Sequence, residues 1–224
     1  MAIELAIGII DSGFALEQGG LVAQSRRFWL EGGELKEGDT QPDALGHGSV
    51  VLDTLTSQCG PVRLCVAQVF AERWQTSPLQ IAAALHWLID QDVALVNMSL
   101  GLRNDRPVLR EACVLAHAAG ILLCASSPAQ GDPVYPAAYP GVIRVTGDAR
   151  CAPGQWSWLN SPQADFGAHV AAANGLAGSS VGCAALSGVI AGYLQARPGA
   201  SRESLLEWLR EGATYEGPER RGHV

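Results

Sequence analysis

The sequence lacks the features of a nucleic-acid-binding or membrane-spanning chain. It has 224 residues and a formal net charge of −7, and its 15 Lys and Arg residues form no run. A protein that neutralises a phosphate backbone needs such a basic patch, so we expect no nucleic-acid partner. Charged residues or His interrupt every apolar stretch before it reaches the roughly 20 residues that cross a bilayer, so we also expect no membrane insertion.

The N-terminus lacks the basic region and the long apolar core of a secretion signal, and Glu4 comes early. The cysteines lack the close paired spacing of a zinc site, and most of them lie within apolar runs. We therefore expect a cytoplasmic protein with reduced, buried thiols. The six cysteines are Cys59, Cys65, Cys113, Cys124, Cys151 and Cys183.

Short β-branched runs alternate with amphipathic helical patterns along the chain, which indicates an α/β fold with a mainly parallel sheet between two helical layers. The length favours a single domain over residues 1–224, with 215–224 as a flexible tail. The patterns predict strands at 5–10, 63–70, 94–98, 121–125 and 142–146. They predict helices at 47–57, 78–90, 107–120, 180–196 and 201–211, and loops at 31–44, 133–140 and 151–162.

Two local patterns place an acid and an imidazole where such sheets carry functional groups. Asp11 ends the first buried run, in the letters IIDSG at 9–13, at the carboxyl tip of a parallel strand. His47 lies between two glycines, in GHGS at 46–49, directly before a helical pattern. Each has an ordinary alternative, because Asp before Gly also forms turns and His at a helix start also serves as a cap or a surface residue.

A third pattern, GSSVGCAALSG at 178–188, places Ser180 at the start of a helix of small residues. Backbone N–H groups at a helix start favour a developing oxyanion, which suits a nucleophile. An N-cap serine is the alternative. Cys183, one turn further on, is expected to be a packed small residue rather than a second nucleophile.

Taken in order, these motifs resemble the Asp, His and Ser motifs of the subtilisin-like serine proteases, and the likeness spans nearly the whole chain. VNMSLG at 96–101 is similar to the family's substrate-pairing strand, and YPAAYPGVI at 135–143 is similar to its segment after the oxyanion loop. The resemblance implies that Ser180 attacks the scissile carbonyl, His47 transfers the proton and Asp11 orients the imidazole. The substrate-binding residues that it implies are Asn97, Ser99, Leu100 and Gly101.

The chain departs from the family at the oxyanion loop. The family's asparagine is missing from CASSPAQ at 124–130, and Pro128 stands nearest its place. Proline has neither a side-chain amide nor a backbone N–H. The oxyanion candidates are Ser126, Ser127, Gln130 and the backbone N–H of Ser180. Loss of one donor costs about two to three decades in kcat, so we expect a slow enzyme.

The chain begins almost directly with the Asp11 strand, so we expect it to be made without the inhibitory propeptide of secreted family members. No set of oxygen ligands for calcium is evident, and we predict neither a required metal nor a cofactor. The chain resembles two kinds of maturation protease. One kind matures modified peptides, and the other matures the γ subunit of quinohemoprotein amine dehydrogenase. These features predict a narrow-specificity maturation or leader-peptide-removing protease that acts on a protein or peptide substrate, in the narrowest case one dedicated partner. The alternatives are a peptide ligase or macrocyclase and a catalytically silent peptide-binding module.

Overall fold

The predicted apolar runs form the centre of a ten-stranded sheet in the computed structural model, which describes residues 4–172 and 175–219. The strand order is β10-β8-β9-β7-β6-β5-β1-β4-β2-β3. Neighbouring strands are parallel except in the β2–β3 and β8–β9 pairs. The strands are β1 (Ala6–Asp11), β2 (Val22–Glu31), β3 (Glu34–Gly38), β4 (Arg63–Gln68), β5 (Leu95–Met98), β6 (Leu122–Ser126), β7 (Val142–Gly147), β8 (Trp156–Trp158), β9 (Phe166–Ala168) and β10 (Tyr215–Glu216).

Helices cover both faces of this sheet and create two separate cores. Helices α2 and α3 pack on one face, and α1, α4 and α5 pack on the other. Alternate residues of β1 serve the two cores, since Ile10 belongs to the first and Ile7 and Ile9 to the second. The predicted three-layer α/β/α fold is therefore confirmed. The helices are α1 (His47–Thr56), α2 (Pro78–Asp90), α3 (Pro107–Ala118), α4 (Ser179–Ala196) and α5 (Arg202–Glu211), with a 3₁₀ helix at Leu16–Leu21.

Five strands lie where the sequence predicted loops, a tail or nothing regular: β2, β3, β8, β9 and β10. Strands β2 and β3 form an antiparallel hairpin at one edge, so the predicted loop at 31–44 is wrong over Glu34–Gly38. Strand β8 interrupts the predicted loop at 151–162, and β10 pairs with β8 inside the predicted tail. These strands are short or exposed and are fixed by their neighbours rather than by apolar runs. Of the predicted tail, residues 220–224 lie outside the described residues.

Helix α4 is long and apolar enough to cross a membrane by length and composition, contrary to the expectation from the sequence. Most of it is buried in the structure, packed against α1 and the sheet. Its composition of small apolar residues is therefore explained by its place in the core, because a helix that is apolar all round is a buried helix.

Candidate active site

Asp11 and His47 form a hydrogen-bonded pair at the carboxyl edge of the sheet. Asp11 is the last residue of β1, and His47 is the first residue of α1. The Nδ1 atom of His47 lies 2.7 Å from Oδ1 of Asp11. Asp11 is fully buried and His47 is only 9% exposed. The carboxylate therefore fixes the orientation of the imidazole ring and leaves its second nitrogen available.

The glycine after His47 makes this contact possible. A Cβ atom on Gly48 would lie 2.3 Å from the backbone oxygen of Gly13, so only glycine lets the start of α1 approach the end of β1 this closely. The backbone N–H of Gly48 donates to Oγ of Ser12 at 2.9 Å. Ser12 in turn donates to Asp11 Oδ1 from its backbone N–H at 2.7 Å. The GHG motif is thus a packing requirement that positions the imidazole.

Electrostatics at this pair favour a protonated imidazole. Burial alone would lower the pKa of His47, but the hydrogen bond and negative charge of Asp11, together with the charge of Asp43, raise the pKa above its ordinary value. The second carboxylate oxygen of Asp11, Oδ2, is buried and has no hydrogen-bond partner among the described residues. Much of the carboxylate's charge is therefore left to stabilise the imidazolium that proton transfer would create.

Ser180 lies at the same edge of the sheet, one strand away from Asp11. Strands β1 and β5 pair with Ile10 opposite Met98, so Ser99, the next residue after β5, lies beside Asp11. The hydroxyl of Ser180 donates to the backbone oxygen of Ser99 at 3.2 Å. The structure thus brings all three predicted triad residues to one edge. No hydrogen bond between His47 and Ser180 is present in the part of the chain described.

The start of α4 leaves a backbone donor next to the nucleophile. Ser180 is the second residue of α4, after the N-cap Gly178, so it is not the N-cap serine that the sequence left as an alternative. The first N–H groups of a helix have no partner within the helix, and that of Ser180 is one of them. A Cβ atom on Gly182 would lie 2.5 Å from the backbone oxygen of Thr146, so this end of the helix is held tightly against β7.

A buried polar network supports Ser180 from behind. Ser187 on α4 donates to Asn97 Oδ1 at 3.0 Å, and Asn97 Nδ2 donates to Ser99 Oγ at 2.9 Å. Ser99 Oγ then donates to the backbone oxygen of Ser180 at 3.1 Å. Asn97 and Ser187 are fully buried. The side chain of Asn97 therefore positions Ser99 within this network, and substrate binding by Asn97 stays a prediction.

The remaining predicted cleft residues differ in exposure. Ser99 and Leu100 are buried, whereas Gly101 is exposed. Cys183 is fully buried, and burial raises the pKa of its thiol far above the ordinary value. That thiol is therefore protonated and out of reach of a substrate, as expected.

The end of β6 and the segment after it hold the two predicted oxyanion serines with their hydroxyls already donated. Ser126 donates to the backbone oxygen of Leu100 at 3.3 Å, and Ser127 donates to that of Gln163 at 2.7 Å. Both serines are buried. Gln130 is exposed, and its side-chain amide makes no hydrogen bond to another described residue. Of the three side-chain candidates, Gln130 is the one whose donor is uncommitted.

Two residues at the site were not singled out from the sequence. Asp43 accepts from the backbone N–H and hydroxyl of Ser49 at 2.8 and 2.7 Å and from the N–H of Gly46 at 2.9 Å, so it caps the start of α1. An Asp shortly before a predicted helix is a recognisable capping signal. Trp74 is 62% exposed and packs edge-on against the ring of His47, with centroids 5.1 Å apart. No sequence pattern marks that contact.

Comparisons with known proteins find similar sequences among subtilisin-like proteases. The chain is 34% identical over 122 residues to the subtilisin-like protease het-Q2 of Podospora anserina, a match covering 50% of this chain and 31% of that protein. It is 29% identical over 154 residues to subtilisin DY of Bacillus licheniformis, covering 62% of this chain and 54% of that protein. No protein-family model matches the chain.

Two solved structures have the same fold. A psychrophilic protease aligns with a TM-score of 0.72 at 18% identity, covering 93% of this chain and 82% of that one. Sphericase aligns with a TM-score of 0.68 at 18% identity, covering 94% of this chain and 85% of that one. The chain is thus similar in sequence to subtilisin-like proteases and has the same fold as the two protease structures. Its matches span about a third of het-Q2 and about half of subtilisin DY.

Proposed function

We propose that the chain is a serine endopeptidase in which Ser180 attacks the scissile carbonyl, His47 takes and returns its proton and Asp11 stabilises the imidazolium. The observation that carries the proposal is the buried 2.7 Å contact between Asp11 and His47 at the edge that also holds Ser180. The proposed chemistry requires the Ser180 hydroxyl to turn from the Ser99 carbonyl toward His47. Such hydrogen bonds are often formed only once substrate is bound.

A fluorophosphonate probe tests this proposal on the purified chain. The probe should modify Ser180, as mass spectrometry of the labelled peptide would show, and Ser180→Ala should abolish labelling. Ser179→Ala is the matched control, because Ser179 is the preceding residue of the same helix and should leave labelling intact. A chain that folds but takes no label at Ser180 is the silent binding module instead.

We also propose that the enzyme is slow and acts on few substrates, as a maturation or leader-removing protease would. Support comes from the oxyanion segment, where Pro128 offers no donor and the hydroxyls of Ser126 and Ser127 donate to backbone carbonyls. Product mass separates hydrolysis from ligation or cyclisation, because hydrolysis adds one water. Comparing the masses of neighbouring gene products with and without the protein, with Ser180→Ala as control, would identify a dedicated substrate.

We propose a cytoplasmic location on the state of the thiols. All six cysteines are free, and five of them are buried. Burial raises the pKa of Cys113 and of Cys124 to about 12, so these thiols stay protonated and unreactive. Fractionation of the source cells, followed by detection of the chain with an antibody, tests the location.

A further inference from the structure

A cationic cavity lies at the edge of the sheet opposite to the candidate active site. Its volume is about 450 Å³, and it lies where β7 and β9 begin, under helix α5. Asp11, by contrast, is at the carboxyl end of β1, which runs parallel with the central strands. The cavity is therefore separate from the proposed proteolytic site. Its walls include Arg144, Trp158, Phe166, Arg202, Leu206 and Arg210.

Helix α5 presents two arginines to this cavity. Arg202, Leu206 and Arg210 are spaced four residues apart, so they form one stripe along the helix. Leu206 and Trp158 supply apolar surface beside the two guanidinium groups. The lining thus combines positive charge with a flat apolar wall.

The carboxylate that lines the cavity is already paired with an arginine. Asp165 is the carboxylate that lines the cavity among the described residues, and Arg144 engages it with Nη2 at 2.5 Å and Nε at 3.3 Å. Glu203 is fully exposed and outside the lining. Hydrogen bonds to its own backbone and to Ser201, with a smaller effect of the Arg202 charge, lower its pKa. Glu203 therefore stays ionised on the solvent side of the helix.

Among the described residues, the two α5 arginines have no partner of opposite charge. Within residues 4–172 and 175–219, neither Arg202 nor Arg210 forms an ion pair. The Nη1 atom of Arg202 is buried and has no hydrogen-bond acceptor. A guanidinium with a buried, unsatisfied N–H is unfavourable unless another group neutralises it. The chain as a whole is acidic, so these unpaired cations stand apart from its general charge.

We propose that this cavity binds an anionic group, a carboxylate or a phosphate, attached to a small apolar body. Arg202 and Arg210 would contact the anion, since guanidinium groups bind planar carboxylates and phosphates through paired hydrogen bonds. The apolar body would lie against Trp158 and Leu206. This site is independent of the peptidase chemistry and does not require it.

Calorimetric titration of the full chain without substrate tests the proposal, with chloride keeping the ionic strength constant. The probes are inorganic phosphate, phenyl phosphate, benzoate and the neutral analogue benzamide. Saturable binding of phenyl phosphate or benzoate, but not of benzamide, is expected. Arg202→Gln and Arg210→Gln should each weaken that binding about tenfold, as loss of one charged hydrogen-bonding partner does. Lys36→Gln is the matched control, because it removes the same charge at the distant β3 edge.

Each result of the titration either supports or overturns the anion site. Preference for phenyl phosphate or for benzoate supports the site and identifies the natural anion's class. Absence of saturable binding by every anion overturns the proposal, as does equal binding of benzoate and benzamide. Unchanged affinity in Arg210→Gln also overturns it, and that variant keeps the test valid if Arg202→Gln does not fold, because Arg210 is exposed.

Discussion

The two halves of the candidate active site differ in how well hydrogen bonds position the catalytic group. On the base side, Asp11, Ser12 and Gly48 hold His47 through a chain of short hydrogen bonds, and the carboxylate is fully buried. On the nucleophile side, the hydroxyl of Ser180 donates to a backbone carbonyl, and the neighbouring loop has Pro128 nearest the place of the family's oxyanion asparagine.

From this difference we infer which step limits the rate of the proposed enzyme. Proton transfer depends on the base side, which is already in place before substrate arrives. Stabilisation of the tetrahedral intermediate depends on the nucleophile side, where the backbone N–H of Ser180 is a donor and Gln130 is the uncommitted side chain. We therefore expect changes on the base side to remove activity and changes on the oxyanion side to tune it.

The largest effect is expected from His47→Ala. Removing the base from such a triad lowers kcat by about six decades, so hydrolysis of a peptide substrate should fall to background. His86→Ala is the control, because His86 is an exposed histidine on α2 and should leave kcat unchanged. Substantial peptidase activity in a folded His47→Ala variant would show that the base side is not used.

A gain of activity is expected from Pro128→Asn. The substitution restores an amide near the place where the family carries its oxyanion donor, and one such donor is typically worth about 100-fold in kcat. Single-turnover acylation kinetics would measure the gain. Pro133→Asn is the control, because it also replaces a proline of this loop with asparagine, but at a position further along the chain. An equal change in both variants would mean that loop flexibility, not the new amide, is responsible.

A smaller loss is expected from Asn97→Leu. The change breaks the link from Ser187 through Asn97 to Ser99, so the nucleophile loses its support while the cleft surface is unaltered. We expect kcat to fall about 10-fold to 100-fold with KM unchanged, as for a misplaced catalytic group. Ser187→Ala, which removes one outer bond of the network, should have less effect. A rise in KM with kcat intact would instead indicate direct substrate contact.

The smallest effect is expected from Asp43→Asn. The negative charge of Asp43 favours the imidazolium and helps to raise the pKa of His47, so its loss should lower that pKa. Because a general base acts when neutral, the acid limb of the kcat/KM profile should move to lower pH. Asp39→Asn removes the same charge from the same exposed segment and should leave the limb in place. A shift toward higher pH would contradict the sign of this interaction.

The sequence was sufficient to predict the parts of the molecule that local pattern determines. Central strands such as β4 and β5 are mainly apolar and almost fully buried, and helix α2 begins and ends at the predicted residues Pro78 and Asp90. The GHG motif also reflects local geometry, because Gly48 is needed for the close approach of α1 to β1. Strand β3, by contrast, is a charged edge segment that its pairing with β2 stabilises.

Tertiary contacts account for what the sequence could not predict at the site. The hydroxyls of Ser126 and Ser127 turn to carbonyls of residues 100 and 163, which are distant or unmarked in the sequence. The contact of Trp74 with His47 likewise depends on a loop conformation. The sequence does not distinguish one serine hydroxyl from another. Which hydroxyls are already hydrogen-bonded depends on the tertiary structure.

The most direct test of the account is the pH dependence of Ser180 acylation by a fluorophosphonate, compared between the parent chain and Asp11→Asn. We expect one rise in rate with pH in the parent chain, with its midpoint above the ordinary histidine pKa of 6.5. In Asp11→Asn the rate should fall by about four decades, and its midpoint should move to lower pH. Equal rates and equal midpoints in the two proteins would contradict the claim that the Asp11–His47 pair activates Ser180.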